Sequence, residues 1–433
     1  MTNKGRGRVL LLLSSSSYRA EDFLSAARRL QVNVTVGSDY RNALADEACG
    51  STIELNFDDV EGSVDAIRGL AENQSLSAVV AAEDAGTRLA AAVSAALDLP
   101  GNSPVSVETS RRKDRFRLAL ANSDILSPWY RTYPRETEPQ EAARELEFPC
   151  VVKPVQLAAS RGVVRANDVG ELVEAFAEAR RATQEAGRGD PILVEGYIPG
   201  DEVALEGILQ NGELRTLAIL DKPDPLVGPY FEETMFVTPS RLAPDVQRRI
   251  EKAVARVTTL VGLREGPIHA ELRINELGVW PIEIAPRTIG GLCARLFRYR
   301  TGTALEELVL LHALGRELPP QPEGPASGVM MIPIPRAGVL TSIAGVDAAE
   351  RVPEVQEVSI TARLGRHIDP LPRGNRYLGF IFARADSPGT VERALREAHS
   401  CLNIRITVGS GKNAENGESG ERSWPGSAEP MRD

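Results

Sequence analysis

The sequence predicts an α/β and α+β protein: a doubly wound N-terminal unit, a longer central region of strands and hairpins, and a small C-terminal α/β module. Three observations carry this. Strand and helix patterns alternate from residue 8 to about residue 100. From Phe148 the periodicity changes to longer strands joined by tight turns, with a few helices between them. A Pro-rich stretch, Leu318–Pro325 (LPPQPEGP), then separates a second group of short strand patterns from the rest. Alternating βαβα order argues for a parallel sheet covered on both faces, whereas strands grouped with hairpins argue for an α+β layer.

Taken in order, Val9–Leu13 reads as a buried strand, Glu21–Leu30 as a helix, Asn33–Val36 as a strand and Val60–Leu70 as a helix. Ala78–Ala82 is the next strand, and the Ala-rich run Ala85–Leu97 the next helix. Ser14–Ser17 and Glu83-Asp84 fall at the C-terminal ends of their strands, where open α/β sheets bind ligands, although polar residues also end strands for structural reasons. Leu99–Pro104 breaks the pattern. A basic helix carrying Arg111, Arg112, Lys113, Arg115 and Arg117 follows, most of whose charges read as a solvated face. Further helices fit Glu171–Ala186, Pro244–Val261, Leu292–Tyr299 and Leu305–Leu314. Past the Pro-rich stretch, Val329–Ile334, Val355–Ile360, Tyr377–Ala383 and Leu402–Val408 read as strands, with a helix at Thr390–Ser400. From Gly409 the composition turns to Gly, Ser, Asn and Glu, the signature of a disordered tail.

The 433 residues allow about three domains at roughly 150 residues each. A formal charge of −10 with no basic stripe excludes a nucleic-acid footprint. Cys49, Cys150, Cys293 and Cys401 are far apart and form no CxxC pair, so they read as free thiols of a reducing compartment. The four histidines are equally scattered and argue against a His-based metal site. Val9–Leu13 is too short for a signal peptide, and no run approaches the ~20 apolar residues of a membrane span, so a cytoplasmic protein without membrane partners is expected.

One hairpin carries the chemistry most directly. In Gly266–Asn275 (GPIHAELRIN), Ile268, Ala270, Leu272 and Ile274 alternate with His269, Glu271 and Arg273, the period of a half-buried strand. In Val279–Ala285 (VWPIEIA), Glu283 faces away from Trp280, Ile282 and Ile284, with Arg287 in phase beyond it. A three-residue loop Glu276–Gly278, with Gly278 left-handed, would set Glu271 opposite Glu283. Opposed like charges are destabilising, and a hard cation such as Mg²⁺ removes the conflict. Two solvated acids on an edge hairpin are the alternative.

Upstream, Phe148–Pro154 (FPCVVKP) is an apolar strand ending in Lys153, a charge that needs an answering anion. Ala158–Val163 (AASRGV) is a small-residue loop able to fold over phosphates. Ile192–Glu202 (ILVEGYIPGDE) runs strand, turn, strand, with Glu195 and Glu202 flanking a hinge. In order, Lys113, Val151–Pro154, Val194–Glu202, His269–Glu271 and Ile282–Arg287 resemble the ATP-grasp superfamily over residues 8–315. The segments Gly328–Met331 and Arg373–Phe380 resemble the last domain of its L-amino acid ligase branch.

The resemblance implies an ATP-grasp fold with a Rossmann-like N-terminal domain at 1–104, an ATP-grasp domain at 105–320, a C-terminal α/β module at 326–408 and a tail at 409–433. It implies an ATP-dependent carboxylate–amine ligase that uses Mg²⁺, with Mn²⁺ as an alternative, on small-molecule carboxylate and amine substrates. A homodimer is the default assembly. Lys113 and Lys153 would bind the α- and β-phosphates, with Ser160 and Arg161 in the phosphate loop. Glu195, Tyr197 and Ile198 would hold adenine, Glu202 the ribose, and Glu271 and Glu283 the Mg²⁺. Arg287 and His269 would be catalytic, although a packed structural histidine also fits position 269. Tyr230, Phe231, Glu232 and Glu233, in a polar Pro-rich segment, would bound the amine pocket, although a surface loop also fits. Two departures stand out. Ala285 replaces the superfamily's frequent asparagine metal ligand, and the phosphate loop has one glycine, Gly162, for which Arg161 would compensate, although a surface arginine also fits. A bicarbonate-activating carboxylase-type enzyme and a catalytically silent ATP sensor are the alternatives; the chain has no Met-Lys-Met biotin site.

Overall fold

The computed structural model describes residues 7–15, 17–39, 51–320, 323–374 and 376–408, so Cys49 and the segment read as a tail lie outside the described residues. The N-terminal sheet has the order β3-β2-β1-β4 and is parallel throughout: β1 (Arg8–Leu12), β2 (Asn33–Ser38), β3 (Thr52–Glu54) and β4 (Leu76–Ala81). Helices α1 (Ala20–Leu30), α2 (Val60–Asn73) and α3 (Asp84–Ala96) connect and cover it. Val9, Leu10, Leu11 and Leu12 are all buried because helices pack on both faces, hence the unbroken apolar run. Helix α3 starts directly after the C-terminal end of β4, at Asp84.

The basic segment folds differently from the expectation. It forms two helices, α4 (Pro104–Arg111) and α5 (Lys113–Ala121), with Arg112 at the corner between them. Arg117 is fully buried and Arg112 is held by Asp114 and Asp190, so the face is largely internal. Arg117 answers Glu195, 78 residues further on, and Arg112 answers Asp190, while Arg115 stays half exposed beside Glu108 of the same segment.

Two sheets frame the centre. A four-stranded antiparallel sheet has the order β5-β8-β6-β7, from β5 (Tyr130–Tyr133), β6 (Cys150–Pro154), β7 (Val164–Ala166) and β8 (Ile192–Gly196). The short α6 (Pro139–Ala142) and the long α7 (Val169–Glu185) complete its core around Phe176. An eight-stranded sheet has the order β13-β12-β9-β10-β11-β14-β18-β16. Its first members are β9 (Asp201–Gln210), β10 (Glu213–Asp221), β11 (Met235–Thr238), β12 (Gly266–Asn275) and β13 (Gly278–Ala285), with α8 (Pro244–Val261), α9 (Arg295–Thr301) and α10 (Leu305–Ala313) packed around them.

The C-terminal segment is less separate than its sequence suggests. Strands β14 (Ala326–Ile332), β16 (Val355–Ile360) and β18 (Gly379–Ala385) extend the eight-stranded sheet, while β15 (Gly338–Ala344), β17 (His367–Ile368) and β19 (Asn403–Thr407) form a small sheet of their own. Helices α11 (Val346–Glu350) and α12 (Pro388–Ser400) cover them. β15 was not expected, since Gly338–Ala344 (GVLTSIA) has neither a long apolar run nor clean alternation.

Glu271 does stand opposite Glu283, but by another route. The turn is a two-residue one, Asn275 pairing with Gly278, and the register then shifts between Glu271 and Leu272. Leu272 pairs with Pro281, leaving Ile282 as the extra residue of a bulge. Pro281 has no N–H to give to a ladder, and an edge strand at a bulge is where a sheet tolerates it.

A buried ion pair ties the N-terminal unit to the segment after β13. The Arg19 guanidinium bonds Thr288 and Glu306 and donates to the Ile289 carbonyl at 3.0 Å. Arg19 and Glu306 side chains are 1% and 3% exposed. Breaking a buried pair from one side leaves an unmatched charge. We expect Glu306→Gln to cost about 3–5 kcal/mol of stability, and Arg19→Met with Glu306→Leu to cost less than either single change, as read by urea denaturation.

Candidate active site

A cavity of about 500 Å³ lies between the four-stranded and eight-stranded sheets. That volume suits a bound small molecule. The N-terminal unit closes one end of it through Ser14, Tyr18 and Glu83–Ala85, and the C-terminal segment adds Met331, Arg376, Tyr377 and Phe380. Of the residues singled out in the sequence, Lys113, Lys153, Ser160, Glu195, Tyr197, Ile198, Glu202, Phe231, Glu233, His269, Glu271, Glu283 and Arg287 line it. Arg161, Tyr230 and Glu232 do not. Arg161 pairs with Glu185 on α7 at 2.7 Å, and Tyr230 bridges to Val164 of β7.

Lys153 leaves its apolar strand to meet Glu195, which also takes Arg117 at 2.7 and 3.2 Å. All three are buried. Burial opposes ionisation of Glu195, yet the two cations outweigh it and bring its pKa to about 2. Burial, with Arg117 and Lys113 nearby, pulls Lys153 below the ordinary lysine value. The Glu195 carboxylate therefore serves its two cations rather than an adenine edge. At the hinge the Tyr197 N–H donates to the Pro149 carbonyl (3.1 Å) and the Ile198 carbonyl accepts from Arg273 (2.6 Å). Arg273 also donates to Glu202 (2.8 Å) and the Leu226 carbonyl (2.5 Å). Its guanidinium covers the Tyr197 and Phe231 rings, themselves stacked at 6.5 Å. Phe231 thus belongs to the hinge lobe of the cavity.

Carboxylate oxygens of Glu202, Glu233 and Glu271 converge within 4.8 Å of one another. The Lys222 ammonium sits among them, bonded to Glu233, to Glu202 at 2.7 Å and 3.6 Å from Glu271. Burial would lower its pKa, but the three acids hold it well above the usual lysine value. This cluster carries its own cation. Glu233 is the acid that yields: burial and the neighbouring Glu271 raise it despite Lys222.

On the hairpin, Glu271 and Glu283 are 23% and 26% exposed at the side chain and face the cavity. Lys113 reaches Glu283 at 3.1 Å and donates to the Leu157 carbonyl at 2.8 Å. His269 bonds Glu206 through Nδ1 and faces Glu271 at 3.2 Å through Nε2. Burial disfavours its charged form, but Glu206 and Glu271 raise the pKa to about 9. Glu206 also accepts the Ile289 N–H at 3.1 Å. Arg287 forks onto Asp84 at 2.9 and 3.0 Å, and Asp84 stays below the ordinary carboxylate value because Arg287 overrides its burial. Ala285 is buried and brings no donor atom.

The phosphate-loop candidate runs through Ala159 and Ser160, both at positive φ (57° and 51°), and Gly162 at φ 70°. A Cβ on Gly162 would meet Ala182 at 2.8 Å and Pro154 at 3.0 Å, which explains the single glycine. Its N–H donates to the Pro372 carbonyl at 3.2 Å.

Arg117, Glu206, Lys222 and Arg273 were not assigned from sequence. Arg273 continues the period-two face of His269 and Glu271, and Glu206 that of Glu202, so alternation held a signal for both. Nothing local marks Lys222 or Arg117. An aromatic and apolar wall of Tyr18, Tyr377, Phe380 and Met331 was also missed, with Tyr18 6.3 Å and Tyr377 6.4 Å from Phe380, centre to centre. Cys293 lies in the same wall, where burial raises its thiol pKa and keeps it neutral.

Paired carboxylates, two lysines and a clamped arginine stand around one cavity, and residues 146–295, which supply most of them, match the ATP-grasp domain model. Residues 330–407 match the L-amino acid ligase C-terminal domain 2. The solved L-amino acid ligase of Bacillus licheniformis is similar over 94% of this chain and 100% of its own, at 26% identity and a TM-score of 0.82. Alanine–anticapsin ligase of Bacillus amyloliquefaciens is 29% identical over 219 residues, 45% of this chain but only 44% of that ligase. Carboxyaminoimidazole ribonucleotide synthase of Aspergillus clavatus, solved with ATP, shares the fold at 16% identity, covering 92% of this chain and 98% of its own with a TM-score of 0.71. Among the described residues no helix is long and apolar enough to cross a membrane.

Glu195→Gln would leave Lys153 and Arg117 buried without their anion, and we expect a loss of about 3–5 kcal/mol in urea denaturation. Because Glu195 titrates lower folded than unfolded, its contribution is complete above about pH 4.5 and drains away as the pH falls toward 2. Acid unfolding of Glu195→Gln should accordingly show a flatter pH dependence than the parent between these limits.

Proposed function

We propose that this protein is an ATP-dependent carbon–nitrogen ligase that joins an amino acid, or a small carboxylic acid, to the amine of an amino acid through an acyl phosphate. The opposed Glu271 and Glu283 in one cavity with Lys113, Lys153 and Arg287 carry the reading. Its three working units would be residues 1–104, 105–320 and 326–408.

A carboxylate and an amine do not condense at neutral pH because carboxylate oxygen is a poor leaving group. Transfer of the ATP γ-phosphoryl to the donor carboxylate forms an acyl phosphate and ADP. The amine nitrogen then attacks the acyl carbon, the carbon–oxygen bond to phosphate breaks, and the amine proton passes to solvent. Such a reaction asks the protein mainly for positioning and charge neutralisation. Adenine would lie in the Tyr197–Phe231 lobe, its edge meeting the Tyr197 carbonyl and the Ile198 N–H, which take no backbone hydrogen bond among the described residues. Glu202 would receive the ribose hydroxyls. Lys153, Lys113 and the loop at Ser160 would hold phosphates, as compact cations and backbone donors do.

The oxygen donors of Glu271 and Glu283 fit Mg²⁺ by their chemistry, and when bound the ion would neutralise phosphate charge. Ala285 leaves these two acids to do most of that holding. Arg287, fixed by Asp84, would steady the transferring phosphoryl group or the donor carboxylate by a forked contact. His269, held protonated between Glu206 and Glu271, would orient Glu271.

Phosphate release from Mg²⁺-ATP across pairs of amino acids, with mass spectrometry of active wells, tests the activity. We expect a new mass equal to two amino acids less water; ATP binding without turnover on any pair would overturn the proposal. Glu283→Gln should lower turnover at least 100-fold while leaving the melting temperature nearly unchanged, since one metal-facing charge is lost from a partly exposed position. Near-parental turnover in that variant would remove Glu283 from the metal site.

A further inference from the structure

A second cavity, of about 240 Å³, shares no residue with the first. Strand β4, helices α3 and α10, and the segments at Asn102, Asn211 and Glu265 line it. Four consecutive residues of β4, Ala78, Val79, Val80 and Ala81, are on its wall. One face of a strand offers only alternate residues, so β4 turns its edge to the cavity. It is the outer strand of the N-terminal sheet and pairs only with β1. The Ala82 N–H goes to the Leu12 carbonyl of β1 at 3.1 Å. Successive residues of a strand aim their N–H and C=O groups at opposite edges, so those of Val79 and Ala81 point away from β1. Among the described residues neither has a backbone partner on that side. The chain after α3 passes along the same wall without laddering to β4. Asn102 is tied instead to the loop before β12, accepting the Arg264 and Glu265 N–H groups at 2.7 and 3.0 Å and donating to the Glu265 carbonyl at 2.7 Å.

Glu265 and His312 are the titratable side chains of the wall. His312 Nε2 accepts the Gly266 N–H at 3.0 Å, and burial lowers its pKa, so the ring is neutral. Glu265 accepts the Asn211 N–H at 3.0 Å and has no lysine or arginine partner among the described residues. An unpaired strand edge is a template for another strand, and a carboxylate without a cation has room for one. The N-terminal end of a peptide supplies both. We propose that this cavity binds the N-terminus of a short peptide, its ammonium on Glu265 and its first peptide unit hydrogen-bonded to the free edge of β4, as in recognition by strand addition. A cavity of about 150 Å³ holds benzene, so this one has room for about two small residues. No lysine or arginine lines it, so a carboxylate within it would go unmatched and the chain must continue outward or end in an amide. The proposal is independent of the ligase reading and holds or fails apart from it.

Calorimetric titration with alanylalaninamide, in saturating Mg²⁺-ADP to occupy the catalytic cavity, tests the site. Two relatives of the probe are compared with it: one N-acetylated, which lacks the ammonium, and one methylated at the peptide nitrogen, which cannot donate to β4. We expect each to bind at least about 10-fold more weakly than the probe, and the free dipeptide alanylalanine to bind more weakly as well. Glu265→Gln, which keeps an oxygen for the Asn211 N–H, should reduce the preference for the ammonium to within about twofold. Ala91→Leu, which fills the cavity from α3, should abolish binding, with melting temperature and ADP affinity confirming that both variants are folded. Absence of binding to the parent protein up to about 10 mM probe overturns the proposal. So does equal affinity for the N-methylated peptide, an unchanged ammonium preference in Glu265→Gln, or parental affinity in Ala91→Leu, which would place the peptide elsewhere.

Discussion

Glu206 is the group on which the site is hung. Its carboxylate is 1% exposed and does two things at once: one oxygen holds His269 and the other takes the Ile289 N–H. The first contact keeps an imidazolium beside Glu271 on the hairpin; the second fixes the chain just past Arg287. An unpaired carboxylate at that depth would cost several kcal/mol, so the two contacts are obligatory rather than decorative. From the opposite side Arg19 grips the same stretch through Thr288 and the Ile289 carbonyl, with Glu306 behind it. The segment carrying Arg287 is therefore pinned by one buried acid from the central sheet and one buried base from the N-terminal unit.

This arrangement explains why so many charges can crowd one cavity. The buried bases in and around the wall reach acids from other elements: Arg117 on α5 meets Glu195 on β8, Arg273 on β12 meets Glu202 on β9, and Arg287 after β13 meets Asp84 on α3. Pairings that cross between elements convert electrostatic demand into tertiary structure. They also keep the donors of the site at fixed positions before a substrate arrives, which is what phosphoryl transfer requires of a protein.

Much of this was legible in the chain, and the boundary between legible and hidden has a physical cause. Period-two alternation in Gly266–Asn275 put His269, Glu271 and Arg273 on one face, and the structure places His269 and Glu271 on the cavity wall together with Arg273. The opposition of Glu271 and Glu283 was anticipated with the wrong turn, because a two-residue turn plus a bulge at Pro281 gives the same register as a three-residue loop without one. Helix Pro244–Val261 and strand Val355–Ile360 were found at their observed limits, the helix because its amphipathicity is strong. Arg117 was read as solvated because a helix shows only its own periodicity; the acid that buries it lies 78 residues away. Phe231 was assigned to the amine side for the same reason, its partner Tyr197 belonging to the hinge. The continuity of β14, β16 and β18 with the central sheet was hidden by the Pro-rich stretch before them, which reads as a boundary in one dimension.

The hydrogen bond from Gly162 to the Pro372 carbonyl, reinforced by Arg373 at 3.3 Å from Glu178, joins the loop that carries Ser160 on the cavity wall to the turn at Pro372 in the C-terminal segment. The loop at Ser160 and the C-terminal turn at Pro372 are thus one mechanical part, and a displacement of either is felt by the other.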